Sequence, residues 1–120
     1  MYFMDERHKA VFMQAIKGMN KKDRRQMSKI YLLTADRSLW RAAHRVLKGG
    51  RLPLNKIRLP FGTESSYTLL CCAKDLEYGT DHITAADLAD REVISAKLYK
   101  VLQTAMAICR CGIMENCEEE

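Results

Sequence analysis

Proline and glycine are scarce: the chain has 2 and 6 of them in 120 residues. Alongside 48% hydrophobic residues, that scarcity excludes a disordered, collagenous or low-complexity chain. Long apolar runs are missing too, and the longest fall far short of the roughly 18 residues that a membrane span requires. No apolar export segment follows the N-terminus, because Asp5, Glu6, Arg7, His8 and Lys9 come at once. No internal repeat and no sustained alternation is present, so nothing demands a sheet. A Gly-rich phosphate loop is absent as well: Gly49-Gly50 lacks the Lys-Ser/Thr ending that a P-loop needs. One cytoplasmic globule is expected, since a chain of this length buries about two thirds of its unfolded surface.

The five cysteines, an odd number, do not suggest a disulfide framework. Cys71 and Cys72 sit inside an apolar run, as buried thiols do. Cys109, Cys111 and Cys117 could offer three thiolates to zinc, with Cys71, Cys72 or a histidine as fourth ligand. Yet C-x-C followed by Cys after five intervening residues is not a finger or ribbon spacing. We expect reduced cysteines, no metal and no cofactor.

What is present is helical punctuation. Asp5 can cap a first helix running to about Met19, with the stripe Phe12, Ala15, Ile16 and Met19. Asn20 can cap a second, with Asp23 three positions on, ending in Ile30-Tyr31-Leu32-Leu33. Its nearly all-round apolar character places it at the centre of a bundle. Asp36 is the cap of a third helix ending at Gly49-Gly50, with Leu39, Trp40, Ala43, Val46 and Leu47 on one side. Residues 50–62 hold both prolines and alternate Ile57, Leu59 and Phe61, which reads as an extended loop with a short strand.

A fourth helix runs from about Thr63 to Tyr78 and stops at Gly79; its run from Tyr67 to Ala73 also looks central. Thr84 and Asp87 mark another helix start, and the stripe Ile94, Leu98, Val101, Leu102, Ala105, Ile108 and Cys109 follows until Gly112. The expected fold is an all-α bundle of five or six helices over residues 1–112, with an acidic tail over 113–120.

Acidic residues are short in one half only. Residues 1–60 hold 15 Lys or Arg against 4 Asp or Glu, a net of +11; residues 61–120 hold 5 against 11, a net of −6. Such asymmetry points to a basic face for a polyanion, or to two faces for different partners. Arg37, Arg41, Arg45 and Lys48 fall within about a quarter-turn of each other on the third helix and can track a phosphate backbone. Lys21, Lys22, Arg24 and Arg25 offer a second patch, and Tyr31 and Trp40 are aromatics able to stack on bases. The bland alternative is that these cations are solvated, or paired with the acidic half. A helix-turn-helix around Thr34-Ala35-Asp36 is disfavoured by the lack of Gly in the turn and of base-reading residues at the second helix's start.

Other chemistry has little footing. Glu77, Asp81, His82 and Asp87 are the residue types of a metal or acid/base site, but turn and cap roles explain the same letters. Neither Cys71 nor Cys72 has a nearby His in sequence to make it a nucleophile.

The opening Met1-Tyr2-Phe3-Met4 before a helix with His8, the Tyr31-Leu32-Leu33 helix, the Glu77-Tyr78-Gly79 turn and a last helix with Tyr99 resemble a family of small uncharacterised proteins of bacteriophages and integrative elements in Gram-positive gut bacteria. The chain departs from that pattern in its basic third helix and Cys-containing end. The resemblance implies a mobile-element setting, where small charged proteins act by binding, some as anti-defence inhibitors of CRISPR nucleases. It brings no catalytic residues.

The expectation is therefore a non-enzymatic binding protein whose basic face engages nucleic acid or a nucleoprotein. The alternative is a protein-directed inhibitor or adaptor that blocks a host defence nuclease, with Asp81, Asp87, Asp90 and Glu92 imitating phosphates. A homodimer is a further expectation, because the two halves attract between copies.

Overall fold

A computed structural model describes residues 1–59 and 62–113. Among them are six α-helices: α1 (Glu6–Ala15), α2 (Arg24–Thr34), α3 (Arg37–Val46), α4 (Glu64–Tyr78), α5 (Ala85–Ala89) and α6 (Ala96–Cys111). A single 3-10 turn, Leu54–Lys56, interrupts the loop between α3 and α4. The all-α expectation holds. Among the described residues, no helix is long and apolar enough to cross a membrane.

Caps fix most helix starts. Asp5, Asp36, Thr63 and Ser95 each accept a backbone N–H three residues on, satisfying a donor that the first turn leaves open. Thr84 and Asp87 close a reciprocal capping box at α5. Gly79 ends α4 with φ +70°, a left-handed conformation that suits glycine.

Several expected boundaries move. α1 stops at Ala15 rather than about Met19, and the chain then reverses through Gly18 at φ +81° while Ile16 stays buried. α2 is capped by Asp23, which accepts from the Gln26 N–H at 3.0 Å. Asn20 instead accepts from the Lys22 N–H, so Lys21 and Lys22 lie in the turn before the helix. A carboxylate at the positive end of the helix dipole is the stronger cap. The short strand expected in the loop does not form; among the described residues the only ladder contact is an isolated bridge between Lys48 and Arg51. Ile57 packs inward as the alternation implied and Leu59 half does, whereas Phe61 lies outside the described residues, as does the tail from 114 onward. α4 is one-sided rather than central: Leu69, Leu70, Cys72 and Ala73 are buried, but Tyr67 is exposed.

The central element is α2. Every residue from Met27 to Ala35 is buried. It packs most extensively on α6, then on α4, and also on α1 and α3. Phe12, Leu32, Leu33, Leu69, Leu102 and Ile108 fill the core around it. The N-terminal residues plug one end. Phe3 packs its ring against His8, Phe12 and Tyr31 with centroids 5.1 to 5.8 Å apart, and Tyr31 donates its hydroxyl to the Tyr2 carbonyl at 2.6 Å.

His8 is buried in that plug. Its Nδ1 accepts the Met4 N–H at 3.0 Å and its Nε2 donates to the Tyr31 carbonyl at 2.9 Å, the pattern of a neutral imidazole. Burial pushes its pKa below the ordinary value; the Tyr31 bond opposes that shift and the Arg7 charge adds to it.

Two expectations follow from this packing. Leu102→Ala, fully buried between α6 and α2, should lower stability by about 3 kcal/mol, read as a fall of the thermal midpoint. The unfolded chain takes up a proton on His8 near about pH 6.5 while the folded chain resists until lower pH. Stability should therefore drop as pH falls below that value. Urea midpoints at pH 7.5 and 5 should show the drop in the wild type and a shallower one in His8→Gln; equal slopes would exclude His8 as its source.

Candidate functional site

The outer face of α3 is basic. Residues four apart on a helix stand nearly one above another, and Arg37, Arg41 and Arg45 accordingly form an exposed row while Leu39, Ala42 and Ala43 face the core. Lys48, the fourth expected member, leaves that row because the helix ends at Val46. Gly49 and Gly50 take φ +56° and +81°. Lys48 and Arg51 exchange backbone hydrogen bonds of 3.0 and 2.8 Å across them. This is a two-residue turn of type I′ character, which requires positive φ at both central positions. Gly49-Gly50 makes a hairpin-like corner, not a helix stop.

The corner carries Lys48 and Arg51 to a recess of about 670 Å³, which they line with Arg45, Lys56, Lys29 and Tyr78. Gln26 donates its amide to the Gly50 carbonyl at 2.9 Å, tying the start of α2 to the corner. A second recess of about 500 Å³ shares Gln26, Lys29 and Glu77 with the first and adds Lys22, Arg24 and Arg25. A third, of about 170 Å³, shares Arg45 and adds Arg41 and Arg58. The shared residues place the three side by side. One basic band thus runs from the start of α2, past the corner, to the outer face of α3.

Among the described residues, little neutralises this band. Lys29, buried, pairs with Glu77 at 2.8 Å, and among the described residues no other Lys or Arg forms an ion pair with a carboxylate. Arg24 donates instead to the Arg110 carbonyl at 2.8 Å, at the end of α6. The helices of the second half pack on α2 through apolar faces, and Glu77 is the one acid among the described residues that pairs with a cation of the band.

The structure therefore brings Lys22, Arg24, Arg25, Arg41, Arg45 and Lys48 onto adjoining recesses. Lys21 is turned to the Ile16 carbonyl at 3.3 Å, and Arg37, though exposed, lines none of the three. Arg51, Lys56 and Arg58 were missed by the sequence reading. Their signal was the density of cations between Arg45 and Arg58, but no helical period places residues of a loop on one face. The stacking candidates change as well. Tyr31 is wholly buried, and Trp40 is half-buried, 5.5 Å from the His44 ring. The exposed aromatic on the band is Tyr78.

The four residues considered for acid/base chemistry do not assemble. His82 meets Asp75, not Asp81, at 2.8 Å; Glu77 holds Lys29 and Asp87 closes the α5 capping box. Asp75 organises the turn after α4, accepting from Thr80 Oγ1 and from the backbone N–H groups of His82 and Ile83. Burial opposes its ionisation, but these hydrogen bonds outweigh it and hold the carboxyl below its ordinary pKa. Asp81, Asp90 and Glu92 are simply exposed.

Burial, first, and the neighbouring Asp75 push the Cys72 thiol up to about 12, and burial raises Cys71 too. Both stay protonated at neutral pH, when thiols are poor nucleophiles. Among the described residues, no group of three or more His, Cys, Asp or Glu could hold a metal. Cys71, Cys72 and Cys109 are free thiols. Cys117 lies outside the described residues.

Comparison with protein-family models, curated proteins and solved structures finds no match.

Asp75→Ala should lower the thermal midpoint by several degrees at pH 7, because the turn loses its shared acceptor. The native pKa is depressed, so the contribution is present above the unfolded value and lost as pH falls through the native one. The difference from wild type should hence shrink below about pH 4. An equal midpoint at pH 7 would show the turn is held by other contacts.

Proposed function

We propose that this chain is a non-enzymatic binding protein whose basic band engages nucleic acid or a nucleoprotein by occupancy. The observation that carries the reading is a run of cations across three adjoining recesses in which, among the described residues, only Lys29 pairs with a carboxylate, that of Glu77. Un-neutralised lysines and arginines on one surface attract phosphates, and their binding releases counterions from a polyanion. Arg41 and Arg45 hold phosphates along α3, Lys48 and Arg51 do so at the glycine corner, and Lys22, Arg24 and Arg25 extend the contact to the start of α2. Backbone contacts of this kind give affinity and register without reading sequence.

The resemblance to proteins of phages and integrative elements fits this reading, because a small protein that acts by covering a nucleic acid needs no catalytic apparatus. A cytoplasmic setting goes with it.

Binding to labelled single- and double-stranded DNA and RNA across a salt series is the test. For about four phosphates held, affinity should fall about fiftyfold or more between 50 and 200 mM salt. The double change Arg41→Glu and Arg45→Glu should weaken binding at least tenfold for every sequence offered. Salt-independent binding, or an indifferent double variant, would overturn the reading. A complex with a host nuclease that survives nuclease treatment would assign the surface to protein-directed inhibition instead. Mass measured in the same buffers reads any self-association between the basic and acidic halves.

A further inference from the structure

The first recess differs from the other two in its lining. Cations occupy much of it, but Val46, Leu52, Pro53 and Tyr78 give it an apolar side. Its volume of about 670 Å³ lies within the range of small-molecule sites, about 300–1,000 Å³. A phosphate chain needs no apolar surface, and a duplex keeps its base faces stacked inside. An unpaired base has two exposed faces and needs both an apolar contact and a nearby cation for its phosphate.

Tyr78 is placed for that contact. It is the last residue of α4, and Gly79 in its left-handed conformation turns the chain away immediately afterwards. The residue is 47% exposed, although the recess it lines also holds buried Lys29 and Leu52. Core packing therefore does not account for an aromatic at this position. Arg45, Lys48, Arg51 and Lys56 line the same recess, within reach of the phosphates on either side of a base laid on Tyr78. Polar groups complete it. Glu77, paired to Lys29 through Oε1, keeps carboxylate lone pairs for base amino groups, and Gln26, whose amide nitrogen is committed to Gly50, keeps its carbonyl oxygen.

We propose that this recess is a nucleobase pocket in which Tyr78 stacks on an unpaired base, so that the ligand of the basic band is single-stranded nucleic acid. The inference rests on the proposed function of the band and deepens it by naming the class of ligand. Stacking tolerates any base, so preference among sequences is weak; discrimination between single strand and duplex is strong.

The test uses the full chain with three probes at one salt concentration: a fluorescent 12-nucleotide single strand, the same sequence as a duplex, and inorganic polyphosphate of similar charge. Wild type should bind the single strand at least tenfold more tightly than the duplex. Tyr78→Ala should weaken single-strand binding roughly five- to hundredfold, the range set by base–aromatic stacking, and leave polyphosphate binding unchanged. Tyr78→Phe should restore it, since the ring and not the hydroxyl does the stacking. Equal affinity for duplex and single strand, or an indifferent Tyr78→Ala, would overturn the pocket while leaving the basic band intact. Failure of all three probes to bind would overturn the band and the pocket together.

Discussion

A helix buried on every side has nowhere to hide a polar group, and α2 is such a helix. From Met27 to Ala35 no residue reaches solvent appreciably, yet the segment contains Ser28, Lys29, Tyr31 and Thr34. Each must find a partner within the protein, because an unsatisfied buried polar group destabilises a fold by about 1–3 kcal/mol. Each does. Ser28 donates to the Ala105 carbonyl at 2.6 Å, Thr34 to the Ile30 carbonyl at 2.7 Å and Tyr31 to the Tyr2 carbonyl, while Lys29 meets Glu77. These bonds fix α6, the N-terminal plug and α4 around α2 in one arrangement. Among the described residues no buried side-chain nitrogen or oxygen is left without a partner.

The same helix shapes the basic surface. Its first turn is exposed and carries Arg24 and Arg25; one turn later Lys29 is already buried. Lys29 therefore sits where core gives way to cleft, and its pairing with Glu77 joins α2 to the end of α4 beside Tyr78. The recess lined by the cations at the start of α2 adjoins the one lined by those of the glycine corner and α3. The exposed cations of α2 are confined to its first turn because every residue from Met27 to Ala35 is buried.

The helices and their order were legible in the sequence because their causes are local. Asp5, Asp36, Thr63, Thr84 and Gly79 act within a turn of their own positions, and the stripe from Ile94 to Ile108 repeats at helical period whatever it packs against. The centrality of the second helix was legible too, from its run of apolar residues. Less legible was the choice between neighbouring caps. Asn20 reads as the cap and Asp23 as the acid of its capping box, yet Asp23 itself takes the cap, its carboxylate standing at the positive end of the helix dipole. Tyr67 to Ala73 looked as central as the second helix, yet only one side of α4 is covered; an apolar run does not say how many neighbours it will have.

The charged surface divides along the same line. Sequence by itself determined that the first half carries a large excess of positive charge, and that Arg37, Arg41 and Arg45 share a helix face, because 3.6 residues per turn requires it. Tertiary structure alone decided which other cations join them. Lys48, Arg51, Lys56 and Arg58 lie in a segment with no period, and their placement depends on a two-glycine turn anchored by Gln26 from another helix. It also decided that Tyr31 belongs to the core and Tyr78 to the surface, and that His82 meets Asp75 across the end of α4. Local rules set what each segment is. Contacts between residues far apart in the chain set which segments come to line one cleft.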